Sequence, residues 1–288
     1  MTTKIYTKQF KEMLPVLFKA KSHFINSFGA LDVIDGIRNS AKAFTVKVSD
    51  MDVVVNDYDT SKPIDGGRLG EMREIVATDK EVDYEATKSI NEAVDIATVN
   101  DDVDQITAER MEKQAAAIAK LIDISAGNQL SSKASKVLSG ELTEAGVTKM
   151  FNDASKEFTQ NEVDTDIIKR AYVTSDVYNF LVDNKLATTA KNSTVNIDTN
   201  NLYSFKGFLL HEVPDARFIK GENAYFVADG IGKVFAGFNE YRALTENTDF
   251  FGVALQSLVK YGSYVPDGNA KAIVKGELTE PAPDPEGK

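Results

Sequence analysis

The clearest pattern of apolar and polar positions in this chain predicts one long helix, from Asp101 to Gly127. Acidic residues stand at its start, where the helix dipole favours negative charge, and Gly127 is a natural end. The apolar residues recur mostly at three- and four-residue steps and form one stripe: Val103, Ile106, Met111, Ala115, Ile118 and Ile122. A helix about 35–40 Å long with one narrow stripe is expected to lie on a sheet as the backbone of a flat, extended subunit.

A long hairpin is predicted before this helix. Apolar residues alternate in Ala41–Asn56, the polar segment Asp57–Glu74 contains turn-forming glycines, and Ile75–Ile96 returns as extended chain. Such a hairpin has few apolar residues and is marginal alone, so it must lean on something outside itself. Residues 1–40 are rich in apolar and aromatic side chains without a strand pattern, and they predict a helical or irregular arm.

The segment after the long helix alternates shorter helices and strands. Polar residues connect the long helix to a second helix, and a proline-rich acidic tail ends the chain and is expected to be disordered. The predicted elements are a helix at Thr143–Phe158, a strand at Ile167–Val173, a short helix from Ser175, a polar loop at Leu186–Ser204, a strand at Gly207–Val213, a strand pair at Ala224–Ala228 and Gly232–Phe238, extended chain at Phe250–Val265 and a last strand at 272–274. The fold class is therefore α+β.

Composition removes several classes of function. The chain has no cysteine, so disulfides and thiolate metal sites are excluded. It has two histidines, which leaves few candidates for the histidine of a Ser-His-Asp triad. His211 reads as a strand residue rather than a catalyst. The net charge of −11 argues against gripping DNA, and without an apolar run of about 18 residues we expect no membrane span. We predict no catalytic residue, cofactor or metal.

One segment keeps an enzyme alternative open. Gly230 and Gly232 follow a strand-like run and match the first two glycines of a dinucleotide fingerprint, G-x-G-x-x-G. The third position is Phe235, and Gly237 comes two residues too late. A turn between two strands is favoured, and a soluble α/β dinucleotide-binding enzyme is the alternative.

Three stretches, in order around the long helix, carry a resemblance. They are VDTDIIKRAYVTSDVYNFLVDN at 163–184, GFLLHEVP at 207–214 and YGSYVPDGNAKAIVKG at 261–276. With the arm, hairpin and helix before them, they resemble the major capsid protein of tailed bacteriophages, of the siphophage type, whose fold is named after phage Hong Kong 97.

This resemblance implies a division of the chain into domains. The expected parts are an N-arm at 1–40, an extended E-loop hairpin with peripheral-domain strands at 41–100, the spine helix and peripheral domain at 101–139, an axial domain at 140–237, return strands and a closing strand at 238–276, and a disordered acidic tail at 277–288.

The resemblance also implies a function. The chain would be a structural head protein, not an enzyme, that self-assembles as pentamers and hexamers into an icosahedral shell around viral double-stranded DNA, in the host cytoplasm. Only about a hundred residues precede the spine helix, which implies a separate scaffolding protein, besides a portal. DNA would lie adjacent without specific binding. An encapsulin-like nanocompartment shell is an alternative with the same fold.

Eight residues are candidates for contacts between subunits. The apolar ones lie on the arm and hairpin, where the chain alone does not obviously cover them, and the arginines are candidates for intersubunit ion pairs. Some capsid proteins cross-link a lysine to an asparagine, but no partner for Lys62 can be aligned, so we expect no cross-link. The candidates are Phe10, Phe18, Val53, Val54, Lys62, Arg68, Arg73 and Arg242.

Overall fold

A computed structural model describes residues 2–34, 41–48, 55–64, 67–72, 74, 78–95, 103–183, 193–196, 201–244 and 250–281. The chain divides into two compact units. One comprises Met1–Arg38 together with Tyr84–Lys288, and the other is Asn39–Asp83. Helices and strands both contribute to the larger unit, as the predicted α+β class requires.

The described residues form five α-helices and thirteen strands. The helices are α1 (Thr2–Lys21), α2 (Ile25–Phe28), α3 (Val103–Lys133), α4 (Glu144–Gln160) and α5 (Ser175–Asp183). The strands are β1 (Asp32–Ile34), β2 (Lys42–Val48), β3 (Thr78–Asp83), β4 (Ala86–Asp95), β5 (Lys136–Glu141), β6 (Lys169–Val173), β7 (Ser193–Asn196), β8 (Asn201–Phe205), β9 (Phe208–Glu212), β10 (Ala224–Ala228), β11 (Lys233–Leu244), β12 (Gly252–Tyr264) and β13 (Ile273–Thr279). Short 3₁₀ turns occur at Asp215–Arg217 and Asp267–Ala272.

A four-stranded sheet with the order β1-β11-β12-β4 supports the long helix. Its centre is the antiparallel pair of β11 and β12, the two longest strands described. Along β12, Leu255 and Val259 are buried whereas Leu258 between them is exposed. One face therefore carries the core, against α1 and α3, and the opposite face is open to solvent, as antiparallel sheets allow.

The remaining part of the larger unit is built on a mixed seven-stranded sheet with the order β5-β13-β10-β6-β9-β8-β7. All five residues of its interior strand β10 are buried, as expected for a strand covered on both faces. On one face Phe226 packs edge-on against Phe151 of α4, with ring centroids 4.8 Å apart. On the other, Phe24 packs on Tyr172, at 4.9 Å.

The predicted second helix is confirmed as α4. Its apolar stripe of Val147, Met150, Phe151, Ala154 and Phe158 is buried throughout. Thr143 caps its N-terminus, where the side-chain oxygen accepts a hydrogen bond from the Gly146 N–H at 3.1 Å. The strand, short helix and strand predicted between residues 167 and 213 are confirmed as β6, α5 and β9.

The long helix does not end at Gly127, as the sequence predicted, but continues to Lys133. Burial of Leu130 keeps the chain helical beyond the glycine. Gly127 instead permits a close approach, because a Cβ there would lie 2.9 Å from the main-chain oxygen of Arg217 and 3.0 Å from the Phe24 ring. The polar stretch expected after Gly127 consists of this last part of α3 followed by β5.

The hairpin prediction is confirmed in the smaller unit, where β2 pairs antiparallel with β3. The returning segment 75–96 is not one strand, however. Strand β3 ends at Asp83, and β4 pairs with β12 in the four-stranded sheet. The hairpin is therefore shorter than predicted, and its returning chain continues into the larger unit.

Other elements also differ from prediction. Strands β10 and β11 do not pair with each other, because β10 lies between β13 and β6 whereas β11 lies between β1 and β12. The segment predicted as a polar loop, 186–204, contains β7 and the start of β8, which pair with each other. The last strand, β13, continues to Thr279 beside β5, so the predicted tail begins later, and 282–288 lie outside the described residues.

The domain limits stay predictions. The limit placed between residues 237 and 238 falls inside β11.

Replacing Gly127 by alanine is expected to destabilise the fold, although alanine favours a helix by about 1 kcal/mol. The new methyl group would meet the main-chain oxygen of Arg217, which cannot rotate away. We expect a net loss of roughly 1–2 kcal/mol in the free energy of unfolding, measured by denaturant titration. Gly268→Ala is the matched control, since nothing lies within 4 Å of its Cβ position. A Gly127→Ala variant as stable as this control would contradict the close packing.

Candidate assembly surfaces

The arm covers its apolar side chains within its own chain. Phe10, Leu14 and Phe18 recur every four residues on α1 and are buried, and the Phe10 ring stacks on Tyr241 of β11 with centroids 5.1 Å apart. The expectation that the chain leaves Phe10 and Phe18 uncovered is therefore wrong. The stripe packs on α3 and β11, and these residues belong to the core.

A buried carboxylate on α3 fixes the end of the arm. Asp123 is fully buried, and its Oδ1 accepts hydrogen bonds from the Ser22 hydroxyl at 2.6 Å and from the N–H groups of His23 and Phe24 at 3.0 and 3.2 Å. Its Oδ2 lies 3.5 Å from Nε of Arg217. Nη1 of Arg217 donates to the Lys120 carbonyl at 2.8 Å. The Asp123 side chain therefore contacts the end of the arm and the 3₁₀ turn after β9 from its position on α3.

The connection between β2 and β3 carries its own internal structure. We call the described residues of this connection, 55–64 and 67–72, the hairpin tip. The Asp59 N–H donates to the Arg68 carbonyl at 3.1 Å, and Nε of Arg68 donates to the Lys62 carbonyl at 2.5 Å. Hydrogen bonds from the hydroxyl and N–H of Ser61 hold the pKa of Asp59 below its ordinary value. The tip is thus ordered without a core.

Large apolar side chains project from this ordered tip into solvent. Their exposed fractions are 91% for Val55, 60% for Tyr58, 88% for Ile64, 79% for Leu69 and 100% for Met72. Because exposed apolar surface is typical of interaction sites, these residues make the tip a candidate assembly surface. The sequence did not single these residues out, although apolar residues beside glycines in a polar segment were the available signal.

The other predicted contact residues are scattered. Lys62 is exposed on the tip, 4.0 Å from Asp59, and Arg68 is half-buried there. Val53, Val54 and Arg73 lie outside the described residues. Arg242 lies on the open face of the four-stranded sheet, where its Nε donates to Gln256 at 2.7 Å and Gln256 donates to Asn91 at 2.9 Å. Among the candidates that the structure describes, the tip brings Lys62 and Arg68 together.

His211 lies on β9, as predicted, and takes part in a charged cluster. Arg170 donates twice to Asp229, at 2.6 and 2.9 Å, and its Nη1 lies 2.7 Å from His211 Nε2. Since a guanidinium group only donates, Nε2 accepts here and His211 is neutral. Burial, followed by the Arg170 charge, lowers the pKa of His211.

A second buried cluster joins α3 to the seven-stranded sheet. Glu222 accepts hydrogen bonds from Ser131 at 2.6 Å and from Lys275 at 2.7 Å, and the Tyr225 hydroxyl also donates to it. Burial acts to raise the pKa of Glu222, but the hydrogen bonds, with that from Lys275 first, outweigh it and leave the pKa below its ordinary value. The polar groups of this cluster form hydrogen bonds with one another, which indicates a structural role.

The turn at Gly230–Gly232 does not form a dinucleotide cradle. The Ile231 N–H donates to the Ser27 carbonyl at 2.9 Å, and the Ile231 carbonyl accepts from Asn269 at 2.8 Å. At Gly232 a Cβ would lie 2.5 Å from the Tyr264 main-chain oxygen. A twelve-residue strand follows instead of the helix that a pyrophosphate site requires, so this alternative is contradicted.

The described ranges contain no group of three or more histidine or acidic side chains placed to hold a metal ion. None of their helices combines the length and apolarity needed to cross a membrane.

Replacing Asp123 by alanine is expected to detach the arm. The change leaves the Ser22 hydroxyl, two main-chain N–H groups and the Arg217 charge without their buried acceptor, which costs roughly 3–5 kcal/mol. Denaturant titration measures the loss, and hydrogen exchange locates it in residues 2–28. Asp267→Ala removes a more exposed ion pair with Lys133 and is expected to cost about 0–1 kcal/mol. Equal losses in the two variants would contradict a special role for Asp123.

The free energy of unfolding is expected to decrease as the pH falls below about 6.5, the ordinary pKa of histidine. The unfolded chain takes up a proton on His211 there, whereas the folded chain resists until the pH passes its lowered pKa. His211→Gln retains an acceptor for Arg170 and should flatten this part of the stability–pH curve. An unchanged slope in His211→Gln would refute the assignment.

Comparison with known proteins gives matches by structure alone. No family model and no curated protein matches this sequence. The capsid structure of cyanophage P-SCSP1u is similar with a TM-score of 0.66 at 10% identity, covering 87% of each chain. The asymmetric unit of the mature capsid of bacteriophage PhiM1 gives 0.67 at 11% identity, covering 91% of this chain and 88% of that one.

A virus-like particle from Pyrococcus furiosus is also similar, with a TM-score of 0.54 at 12% identity, covering 94% of this chain and 98% of that one. These identities are low, so the likeness concerns the path of the chain. It extends over most of the length of each chain. The protein therefore has the fold of these shell-forming structures, as its resemblance to the Hong Kong 97-type capsid fold predicted.

Proposed function

We propose that this chain is the major capsid protein of a tailed bacteriophage. In this role it is a structural subunit, not an enzyme, that assembles as pentamers and hexamers into an icosahedral shell around double-stranded DNA. The observation that carries the proposal is the fold, shared over about nine-tenths of the chain with the mature capsid of bacteriophage PhiM1. The ordered apolar tip supports it, because a shell subunit needs surfaces that other copies can cover.

The tip supplies a physical driving force for assembly. Full burial of a large apolar side chain is worth about 1.5–3 kcal/mol, and five such side chains project from the tip. Part of this gain is offset by the translational and rotational freedom that association removes. A single contact is then weak, and a closed shell is stable because every copy makes the contact.

The proposed partners follow from the net charge and from what the resemblance to phage capsid proteins implies. With a net charge of −11, the shell would repel packaged DNA rather than bind it. A separate scaffolding protein and a portal complete the proposal, with assembly in the host cytoplasm. Further contacts between copies are proposed at Lys62, Arg68, Arg242 and at residues outside the described ranges, namely Val53, Val54 and Arg73, with no cross-link at Lys62.

A nanocompartment shell without a genome is the second candidate. The match to the particle from Pyrococcus furiosus extends over nearly the whole length of both chains. Its TM-score of 0.54 is lower than the 0.67 of the match to the PhiM1 capsid. A nanocompartment shell would assemble from the purified chain alone. A phage shell would depend on the scaffolding protein for closed particles of uniform size.

Negative-stain electron microscopy of the purified chain, alone and with candidate scaffolding protein, tests the proposal. We expect closed shells, or rings of five and six subunits. A uniform monomer or dimer under both conditions would overturn it.

Tip variants make the test specific. Leu69→Asp and Met72→Asp are each expected to raise the concentration needed for assembly about tenfold, since each removes roughly 1.5 kcal/mol of apolar burial. Val137→Asp is the matched control, because Val137 is also an exposed apolar residue but lies on β5. Circular dichroism and thermal unfolding should be unchanged in all three variants. If the tip variants assembled like the control, the proposal that the tip contributes to assembly would be wrong.

A further inference from the structure

One member of the exposed apolar group on the hairpin tip is chemically reactive. Met72 is 100% exposed, and its thioether sulfur carries lone pairs that can attack an oxidant. Other apolar side chains of the tip, such as Ile64 and Leu69, are hydrocarbons and offer no such atom. Oxidation of a methionine gives a sulfoxide, which changes a flexible apolar side chain into a polar one. A modification at this position would therefore change the chemistry of the tip surface.

The other methionines that the structure describes are shielded. Met111 on α3 is 2% exposed and Met150 on α4 is 3% exposed, and both belong to the core. Met13 on α1 is half-buried and packs against the same core. Since susceptibility to oxidation follows exposure, Met72 is the described methionine that an oxidant in solution reaches first.

The fold of the tip rests on groups other than the Met72 side chain. The Asp59 N–H donates to the Arg68 carbonyl, and the Arg68 side chain donates to the Lys62 carbonyl. A sulfoxide at the end of a fully exposed side chain leaves these hydrogen bonds in place. Oxidation can therefore change what the tip is able to contact without changing how the tip itself is ordered.

We propose that Met72 is an oxidation site and that its sulfoxide weakens the association of this chain with other copies. A sulfur lone pair attacks one oxygen of hydrogen peroxide and the O–O bond breaks. The departing hydroxide takes the proton of the sulfur-bound oxygen and leaves as water. The sulfur is thereby oxidised by two electrons and the peroxide is reduced.

The consequence for association rests on the proposed function, in which other copies of the chain cover the tip. Covering a polar sulfoxide without a hydrogen-bond donor for its oxygen is costly, whereas the exposed sulfoxide of a free chain is hydrated. The reverse effect follows from the same geometry, because a thioether covered by another copy is shielded from peroxide. Oxidation opposes assembly, and assembly protects Met72. Reductases that act on methionine sulfoxide make the modification reversible.

Peptide mapping of the unassembled chain after peroxide treatment tests the site. We expect the sulfoxide at Met72 to form at least about tenfold faster than at Met111 or Met150, because exposure decides the rate. Mapping also separates Met72 from Met1 and Met51, which lie outside the described residues. Circular dichroism of the treated chain should be unchanged. Oxidation of Met111 or Met150 as fast as that of Met72 would overturn the assignment.

Assembly of the treated chain, after removal of the peroxide, tests the consequence. We expect the concentration needed for assembly to rise about tenfold and to return after treatment with methionine sulfoxide reductases. Met72→Leu removes the sulfur and keeps an apolar side chain of similar volume, so this variant should assemble equally well before and after peroxide. Met150→Leu is the matched control, since it retains Met72 and should remain sensitive.

The outcomes separate the inference from the proposed function. Loss of assembly that Met72→Leu prevents supports the inference, and so does oxidation of Met72 about tenfold slower in assembled shells than in the free chain. Normal assembly of a chain that carries the sulfoxide at Met72 overturns the inference and leaves the proposed function intact. An equal loss in peroxide-treated Met72→Leu has the same meaning. Absence of shells and rings from the untreated chain, with and without scaffolding protein, overturns both.

Discussion

The buried carboxylate of Asp123 is the constraint on which the arrangement of the larger unit depends. A charge removed from water is costly unless donors and opposite charge replace its hydration. Here the donors come from the end of the arm, and the Arg217 guanidinium lies 3.5 Å away as the opposite charge. This requirement fixes where α1 ends along α3. It places Phe24 beside Gly127 and against the tyrosines of the seven-stranded sheet. The arm is thereby part of the core rather than a free extension.

With the arm engaged in this way, the core and the exposed apolar surface of the tip draw on different residues. The larger unit has a continuous core that includes α1, α3 and α4 and both of its sheets. The hairpin tip contributes exposed apolar side chains and is held by polar contacts within itself. A substitution on the tip can therefore change association without changing folding. This separation suits a subunit that has to fold before it meets its neighbours.

The sequence correctly predicted the elements that depend on a local pattern of apolar residues. It failed for the features that are set by residues distant in the sequence. The stripe of α4 and the alternation in β2 are local, and both were predicted correctly. From the sequence, Gly127 is interpreted as a helix end. The structure shows that a glycine is needed there because the Arg217 main chain lies so close. The pairing of β10 with β6 and β13 is set by the whole sheet. A sequence does not reveal what covers an apolar side chain. For this reason Phe10 and Phe18 read as contact residues although they are buried, and the exposed apolar side chains of the tip do not stand out in the sequence.

Identities of 10–12% with the phage and archaeal shells are consistent with this division between core and surface. A core tolerates extensive substitution when apolar pattern and volume are maintained, so a fold can persist after most residues have changed. Contacts between copies follow a different rule, because each surface must match its counterpart in the same shell. The chemistry of the tip therefore belongs to this chain, and the contacts of a similar protein cannot be transferred to it residue by residue. For this protein the fold limits the range of functions to be considered, and the exposed side chains determine which contacts the protein can make.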